Sequence, residues 1–197
     1  MATGKSTPQG AGPGGPSLRV HWVLIFYGLL GGAAVAWRLW ADGILPWRAS
    51  PSDPVSPGWL RLGLGVAAGL GLVAASRVAT ERTQAGRALA SELSRLLGPL
   101  SERRAFGFAL ASGLAEEAFF RGALQPRVGL AAATVLFAAA HYVPRPGLRV
   151  WALFALVAGA LFGVLFERTG DLLAPAVAHA VVNGLNLHWL ARRGTAG

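Results

Sequence analysis

The hydrophobic positions of this 197-residue chain are gathered into six long apolar runs separated by shorter polar segments. Each run approaches or reaches the roughly 20 residues that an α-helix needs to cross a bilayer. The runs are about 20–41, 59–80, 105–123, 127–143, 150–166 and 172–190. This pattern predicts an all-α fold, a polytopic membrane helix bundle with about six transmembrane helices.

Two polar stretches complete the predicted organisation. Residues 1–17 are rich in Pro, Gly, Ser and Thr, and we expect a disordered tail there. In residues 81–104, leucines recur at helical spacing with arginines between them. That pattern fits an amphipathic helix at the membrane surface and, equally, an ordinary charged linker helix. We therefore expect the tail, then two transmembrane helices with an interfacial segment (18–104), then a membrane core (105–191).

Small residues recur four positions apart in two of the runs. Gly65 and Gly69 form one such pair, and Gly159 and Gly163 form another. Pairs of this kind allow two helices to approach closely. We predict that both pairs lie at helix–helix contacts.

Composition and charge favour a lipid environment. Hydrophobic residues make up 53% of the chain, charged residues 14%, and the mean hydropathy is +0.48. A soluble domain of this length needs a more polar surface. The net charge is +9, but the arginines flank apolar runs, which indicates contact with anionic lipid head groups and not with nucleic acid. The chain has no cysteine, so disulfides, thiolate nucleophiles and cysteine-bound zinc are excluded.

The basic residues also predict an orientation. With a cytoplasmic N-terminus, twelve of the 18 Lys and Arg residues fall on the cytoplasmic side and six on the other. Because basic residues accumulate on the cytoplasmic side, we expect both termini in the cytoplasm.

Two adjacent carboxylates, Glu116 and Glu117, interrupt the third apolar run. Each charge at such a depth costs about 2.5–3.5 kcal/mol on insertion scales. Neighbouring residues on a helix point about 100° apart, so the two cannot face one small cavity equally. Glu117 precedes Arg121 by four residues, the spacing of an ion pair within a helix. We predict that Glu116 faces a cavity and moves a proton, whereas Glu117 pairs with Arg121. The alternative is that both glutamates are only structural partners of arginines.

Two later runs each carry a histidine. His141 follows Phe137 by four residues, and His179 precedes Asn183 by four, so each pair shares a helix face. An imidazole beside Glu116 can activate water, and a His and an Asn on one face can donate hydrogen bonds to an oxyanion. Polar groups on separate apolar helices tend to meet because each needs a partner. We predict a hydrolytic site where three helices converge, although each histidine alone also fits an interhelical hydrogen bond.

A metal site is a further alternative. One carboxylate and two imidazoles, from Glu116, His141 and His179, suit Zn²⁺. However, the chain has no His-Glu-x-x-His motif, and the ligands would come from three helices. We expect no cofactor, with Zn²⁺ as the alternative.

The ordered motifs resemble the three-motif pattern of the CPBP intramembrane endopeptidases, which include the CAAX-processing type II prenyl proteases and the Abi, or bacteriocin-processing, proteins. The motifs are Glu116-Glu117-x-x-x-Arg121, Phe137-x-x-x-His141 and His179-x-x-x-Asn183. The resemblance covers about 105–187, and it implies a CAAX-protease-like four-helix catalytic core.

The resemblance also implies roles for these residues. Glu116 and His141 would activate water, and His179 and Asn183 would stabilise the tetrahedral intermediate. Glu117 and Arg121 would support the site. It leaves metal dependence open. Because fewer spans precede the core than in the prenyl proteases, we expect a membrane-associated peptide or a C-terminal sorting tail as substrate. The expected location is a bacterial inner membrane.

Two other functions remain open at this point. One is a non-catalytic binding or immunity protein on the same fold. The other is a small proton-coupled transporter in which Glu116 and the histidines relay protons, although the chain shows no inverted repeat.

Overall fold

The computed structural model describes residues 20–50, 52, 54–98 and 100–194, and within these ranges the chain is helical, with no β-strand. The elements are α1 (Val20–Asp42), α2 (Gly58–Arg82), α3 (Gln84–Leu97), α4 (Glu102–Glu117), a π-helical segment (Ala118–Leu124), α5 (Gln125–Ala140), α6 (Arg149–Thr169) and α7 (Leu173–Gly194). The all-α membrane bundle predicted from the sequence is confirmed. The predicted tail, 1–17, lies outside the described residues.

Four segments of the described chain are long and apolar enough to cross a membrane. They are His21–Asp42, Gly58–Arg82, Glu102–Ala140 and Arg149–Thr169. The third of them contains both the third and the fourth predicted runs. The sixth predicted run is α7, which is long enough but carries several polar residues and is not among the four. On the outer helices, large apolar side chains are exposed, for example Leu29 at 70% and Trp59 at 75%, as expected of surfaces that face lipid.

Residues 102–140 form a helical hairpin that turns at Gly129. Gly129 has φ 79° and ψ 166°, a conformation that residues with a Cβ rarely adopt. Arg121 and Phe137, each eight residues from Gly129, are in contact, with the guanidinium carbon 4.3 Å from the ring centroid. In one straight α-helix these residues would be about 24 Å apart. The two arms therefore run antiparallel, which brings Glu116 and His141 to the same depth.

The π-helical segment aligns two polar side chains with α6. Arg121 and Gln125 donate hydrogen bonds to the backbone carbonyl oxygens of Gly159 (2.9 Å) and Gly163 (3.1 Å). A Cβ on Gly159 would lie 3.1 Å from the guanidinium, and one on Gly163 would lie 2.8 Å from the amide oxygen. This glycine pair, predicted to mark a close helix contact, therefore also leaves space for two polar side chains to reach backbone carbonyls.

The first glycine pair lies at the contact between α2 and α7. A Cβ on Gly65 would lie 2.6 Å from the carbonyl oxygen of Ala174, and one on Gly69 would lie 2.8 Å from the Cβ of Val181. Both separations are too short for real atoms. The close approach predicted for this pair is confirmed, and it holds α7, the helix that carries His179, against the N-terminal part of the bundle.

The Pro-containing connection between α1 and α2 covers one end of the bundle. It hydrogen-bonds to the tight turn between α6 and α7: Ala49 N–H donates to Gly170 O (3.0 Å), Ser56 N–H to Thr169 O (3.1 Å) and Leu172 N–H to Trp47 O (2.9 Å). Ion pairs at the same end join Arg38 with Asp42 and Arg61 with Asp171.

Helix α3 lies at the opposite end of the bundle. Its N-cap is Thr83, whose hydroxyl accepts the Gly86 N–H, and Gly86 itself packs tightly against the end of α2. Farther along, the Ser94 hydroxyl donates to the carbonyl oxygen of Leu190 on α7 at 2.9 Å. The helix expected in 81–104 is thus present as α3 and is docked onto the bundle, whereas its place at the membrane surface stays a prediction.

Candidate active site

A buried ion pair forms the base of the site. Glu117 and Arg121 are 0% and 1% exposed, and their side chains are 3.2 Å apart. Because an unpaired charge at this depth is costly, each side chain needs the other. The guanidinium also contacts the ring of Phe137 and donates to Gly159 O, so its position is fixed by α4, α5 and α6 together. The structure therefore contains the i, i+4 pair that the spacing predicts.

His179 lies between the two glutamates. Its Nδ1 is 2.8 Å from Oε1 of Glu117, and its Nε2 is 4.0 Å from Oε2 of Glu116. The ring stacks on Phe162, with centroids 5.1 Å apart and planes at 22°. A carboxylate can only accept, so Nδ1 carries a proton and donates it to Glu117. This contact fixes the tautomer and the orientation of the imidazole.

Glu116 points into the protein and towards both imidazoles. The residue is 7% exposed, and its Oε2 is 3.6 Å from Nε2 of His141 and 4.0 Å from Nε2 of His179. Oε2 is buried and has no hydrogen-bond partner among the described residues. The adjacent glutamates thus take different positions, as predicted.

His141 is fixed by its own helix. Its Nδ1 is 2.8 Å from the carbonyl oxygen of Phe137, so this nitrogen carries the proton, and its ring packs edge-on against Trp151 at 5.3 Å. In the neutral ring, Nε2 then presents a lone pair towards Glu116. Two acceptor atoms face each other at 3.6 Å. A water molecule that donates to both would satisfy them and would be held for deprotonation.

Asn183 lies one helical turn after His179 on α7. Its Nδ2 donates to the Ser112 hydroxyl at 2.8 Å, and Ser112 in turn donates to the carbonyl oxygen of Ala109 at 3.3 Å. Ser112 precedes Glu116 by one helical turn. One of the two amide N–H bonds is therefore held by Ser112, and the second remains able to donate to another group.

Two polar residues of this region, Tyr27 and Ser112, were not predicted from the sequence. Tyr27 of α1 lies close to the side chains of Glu116 and Ser112. A signal was present in the sequence, because Tyr27, Gly31 and Ala34 fall on one helix face of a run whose other faces are apolar. All six residues predicted from the motifs lie in the same region, and none is displaced from it.

An apolar cavity of about 440 Å³ opens beside these side chains. Its polar wall includes Tyr27, Ser112 and Asn183, and Trp151 connects it to His141. The remaining wall is mainly aliphatic and aromatic, contributed by α1, α2, α3, α4, α6 and α7. A cavity of this kind suits an apolar segment.

The spacing of Glu116, His141 and His179 bears on the zinc alternative. Within the described ranges, no group of three or more His, Cys, Asp or Glu side chains is arranged to hold a metal ion. Zinc ligands lie about 2.0–2.2 Å from the ion, which puts tetrahedral ligand atoms about 3.4 Å apart. The 4.0 Å between Glu116 Oε2 and His179 Nε2 is longer than that. These side chains are therefore not spaced as tetrahedral zinc ligands, and the zinc alternative stays a prediction.

Comparisons with known proteins point to the same part of the chain. Residues 103–185 match the family profile described as type II CAAX prenyl endopeptidase Rce1-like. Over 73 residues the chain is 40% identical to the uncharacterized protein YpbD of Bacillus subtilis (strain 168), a match that covers 36% of this chain and 37% of that protein. The match thus spans little more than a third of this relative's length. No solved structure matches the chain. All six motif residues lie inside the matched range, whereas α1, α2 and α3 lie outside it.

Proposed function

The chain belongs, through residues 103–185, to the Rce1-like type II CAAX prenyl endopeptidase family, and from this premise we propose that it is an intramembrane endopeptidase of the glutamate type. It hydrolyses a peptide bond in a membrane-associated peptide or in a C-terminal tail. The observation that carries the proposal is the buried Oε2 of Glu116, which faces Nε2 of His141 at 3.6 Å and Nε2 of His179 at 4.0 Å.

The first step is the activation of water. A water molecule beside Glu116 and His141 donates to both acceptors and loses a proton to one of them as it attacks the carbonyl carbon. The acquired proton then passes to the leaving amine. Glu116 is mostly buried, so few other water molecules compete for its carboxylate.

The second requirement is stabilisation of the oxyanion. Asn183 contributes the N–H that Ser112 leaves unused. His179 donates from Nε2 only as an imidazolium, because its Nδ1–H is already donated to Glu117. The Glu117 carboxylate stabilises that positive charge, and Arg121 keeps the carboxylate in place.

The cavity supports an apolar substrate segment. Its wall is largely hydrophobic, and three of its polar side chains, Tyr27, Ser112 and Asn183, belong to the region around Glu116. An extended apolar tail would place side chains in the cavity and its peptide backbone next to the polar wall. We propose that the substrate enters from the bilayer or its surface, in an inner membrane with both termini of the protein in the cytoplasm.

The test uses purified protein in detergent with two kinds of peptide. One ends in a Cys-aliphatic-aliphatic-X tail carrying a farnesyl group on cysteine, and the other has an unmodified apolar C-terminal tail. Mass spectrometry of the products is expected to show cleavage of at least one peptide by the wild type and none by Glu116→Gln. Equal binding of a peptide by both proteins, with cleavage by neither, would favour the non-catalytic binding function.

A further inference from the structure

Helix α1 presents one polar group to the centre of the bundle. Tyr27, Gly31 and Ala34 recur at i, i+4 and i+7, and so share one face. On that face, a Cβ at Gly31 would lie 3.7 Å from the Cβ of Ala115, and Ala34 is fully buried in a cluster that includes Ala118. The small residues let α1 approach the helix that carries the glutamates.

The register of this contact brings Tyr27 to the level of Glu116. The two helices run in parallel, because Gly31 meets Ala115 and Ala34 meets Ala118. One turn before Gly31, the Tyr27 side chain therefore reaches the turn of α4 that begins at Ser112. Tyr27 lies close to Glu116 and lines the cavity together with Ser112 and Asn183.

We propose that Tyr27 is a positioning residue for the Glu116 carboxylate, held in place by a helix that the family match does not cover. This inference rests on the proposed function. The hydroxyl donates a hydrogen bond to Glu116, and this contact leaves Oε2 directed at His141 and His179. Through Ser112 the same hydroxyl is linked to Asn183, so the proton-transfer side and the oxyanion side share one polar network.

The physical reason for such a residue lies in the burial of Glu116. A buried carboxylate without a hydrogen-bond donor can rotate about its terminal side-chain torsion and exchange the positions of its two oxygens, because this torsion has a broad distribution of angles. A fixed donor on one side selects one orientation. A hydrogen bond to a charged group is stronger than one between neutral groups, so a single phenol is sufficient.

The first experiment measures the contact without any substrate. The chain has two tyrosines, Tyr27 and Tyr142, so protein labelled with 3-fluorotyrosine gives two ¹⁹F resonances, which Tyr142→Phe assigns. We expect Glu116→Gln to shift the Tyr27 resonance and to leave that of Tyr142, which is 53% exposed, nearly unchanged. A Tyr27 resonance that does not move in Glu116→Gln would overturn the proposal.

The second experiment measures the consequence for hydrolysis. Tyr27→Phe removes one oxygen and keeps the ring, and we expect kcat to fall about 10- to 100-fold with little change in KM. Tyr142→Phe, the same chemical change at an exposed position, is the matched control and should keep wild-type rates. Wild-type kcat in a folded Tyr27→Phe protein would refute the positioning role even if the resonance shifts. If the wild type hydrolyses nothing, the proposed function fails, and the ¹⁹F result still decides whether the contact exists.

Discussion

Nδ1 of His179 lies 2.8 Å from Oε1 of Glu117, at a point where both residues are almost completely buried. The opposite nitrogen of the same ring faces Glu116. Two glutamates that are neighbours in the sequence thus approach opposite nitrogens of one imidazole. One carboxylate orients the ring, and the other is left free for water. This division of roles leads to different expectations for the two acidic residues.

Glu117→Gln should destabilise the fold far more than Glu116→Gln. Removal of the Glu117 charge leaves Arg121, which is 1% exposed, without its ion-pair partner. In comparable buried pairs this change lowers the free energy of unfolding by about 3–5 kcal/mol. Glu116 forms no ion pair with an arginine among the described residues, and its amide analogue has nearly the same volume. Thermal unfolding in detergent measures the difference. Equal unfolding temperatures for the two variants would contradict the assignment.

Asn183→Ala should lower kcat about 10²- to 10³-fold, the usual loss for an oxyanion donor, with KM changing little. Ser112→Ala should lower kcat less, because the Asn183 carboxamide remains present and loses only the hydroxyl that orients it. Steady-state kinetics on the cleaved peptide provide the measurement. Asn186→Ala is the matched control, since Asn186 lies one turn farther along α7 and contacts Ser76 instead. A kcat for Asn183→Ala equal to that of the control would exclude the oxyanion role.

Gly69→Leu should weaken the contact between α2 and α7. A Cβ at this position already lies 2.8 Å from Val181, so a larger side chain forces the helices apart at a cost of about 1–3 kcal/mol or more. Gly63→Leu lies on the same helix with nothing within 4 Å of its Cβ, and it is the matched control. The free energy of unfolding in detergent distinguishes them. Similar values for both variants would show that α7 is not held by this contact.

The predicted orientation can be tested by single cysteines, because the chain has none of its own. Ser91→Cys on α3 and Ser52→Cys in the connection between α1 and α2 lie at opposite ends of the bundle, and both positions are exposed. In intact cells, a membrane-impermeant maleimide should label Ser52→Cys and leave Ser91→Cys unlabelled until the cells are opened. The reverse pattern would place the termini outside the cytoplasm.

Local patterns in the sequence were sufficient for contacts that depend only on the spacing of residues along one helix. The pairing of Glu117 with Arg121 follows from their spacing, and the close approach at Gly65 and Gly69 follows from the size of the residues. The convergence of Glu116 with both histidines was inferred from the cost of isolated polar groups in lipid, and the structure brings these side chains within 4.0 Å.

Contacts that depend on helix rotation and depth were not predictable in the same way. The bond between His179 and Glu117 joins residues 62 positions apart, and periodicity does not say which nitrogen meets which carboxylate. Tyr27 was missed because an isolated tyrosine in an apolar run is typical of lipid interfaces. The turn at Gly129 was also not predictable from the sequence. A glycine with positive φ cannot be distinguished by sequence from the many other glycines in this chain.

The most direct test of the central claim compares wild type and Glu116→Gln on one peptide in ¹⁸O-labelled water. A mechanism in which Glu116 activates water predicts that the new C-terminus formed by the wild type carries one ¹⁸O atom. It also predicts that Glu116→Gln forms this product roughly 10³-fold more slowly, or not at all, while unfolding at the wild-type temperature. A folded Glu116→Gln protein that cleaves the peptide within tenfold of the wild-type rate would contradict it.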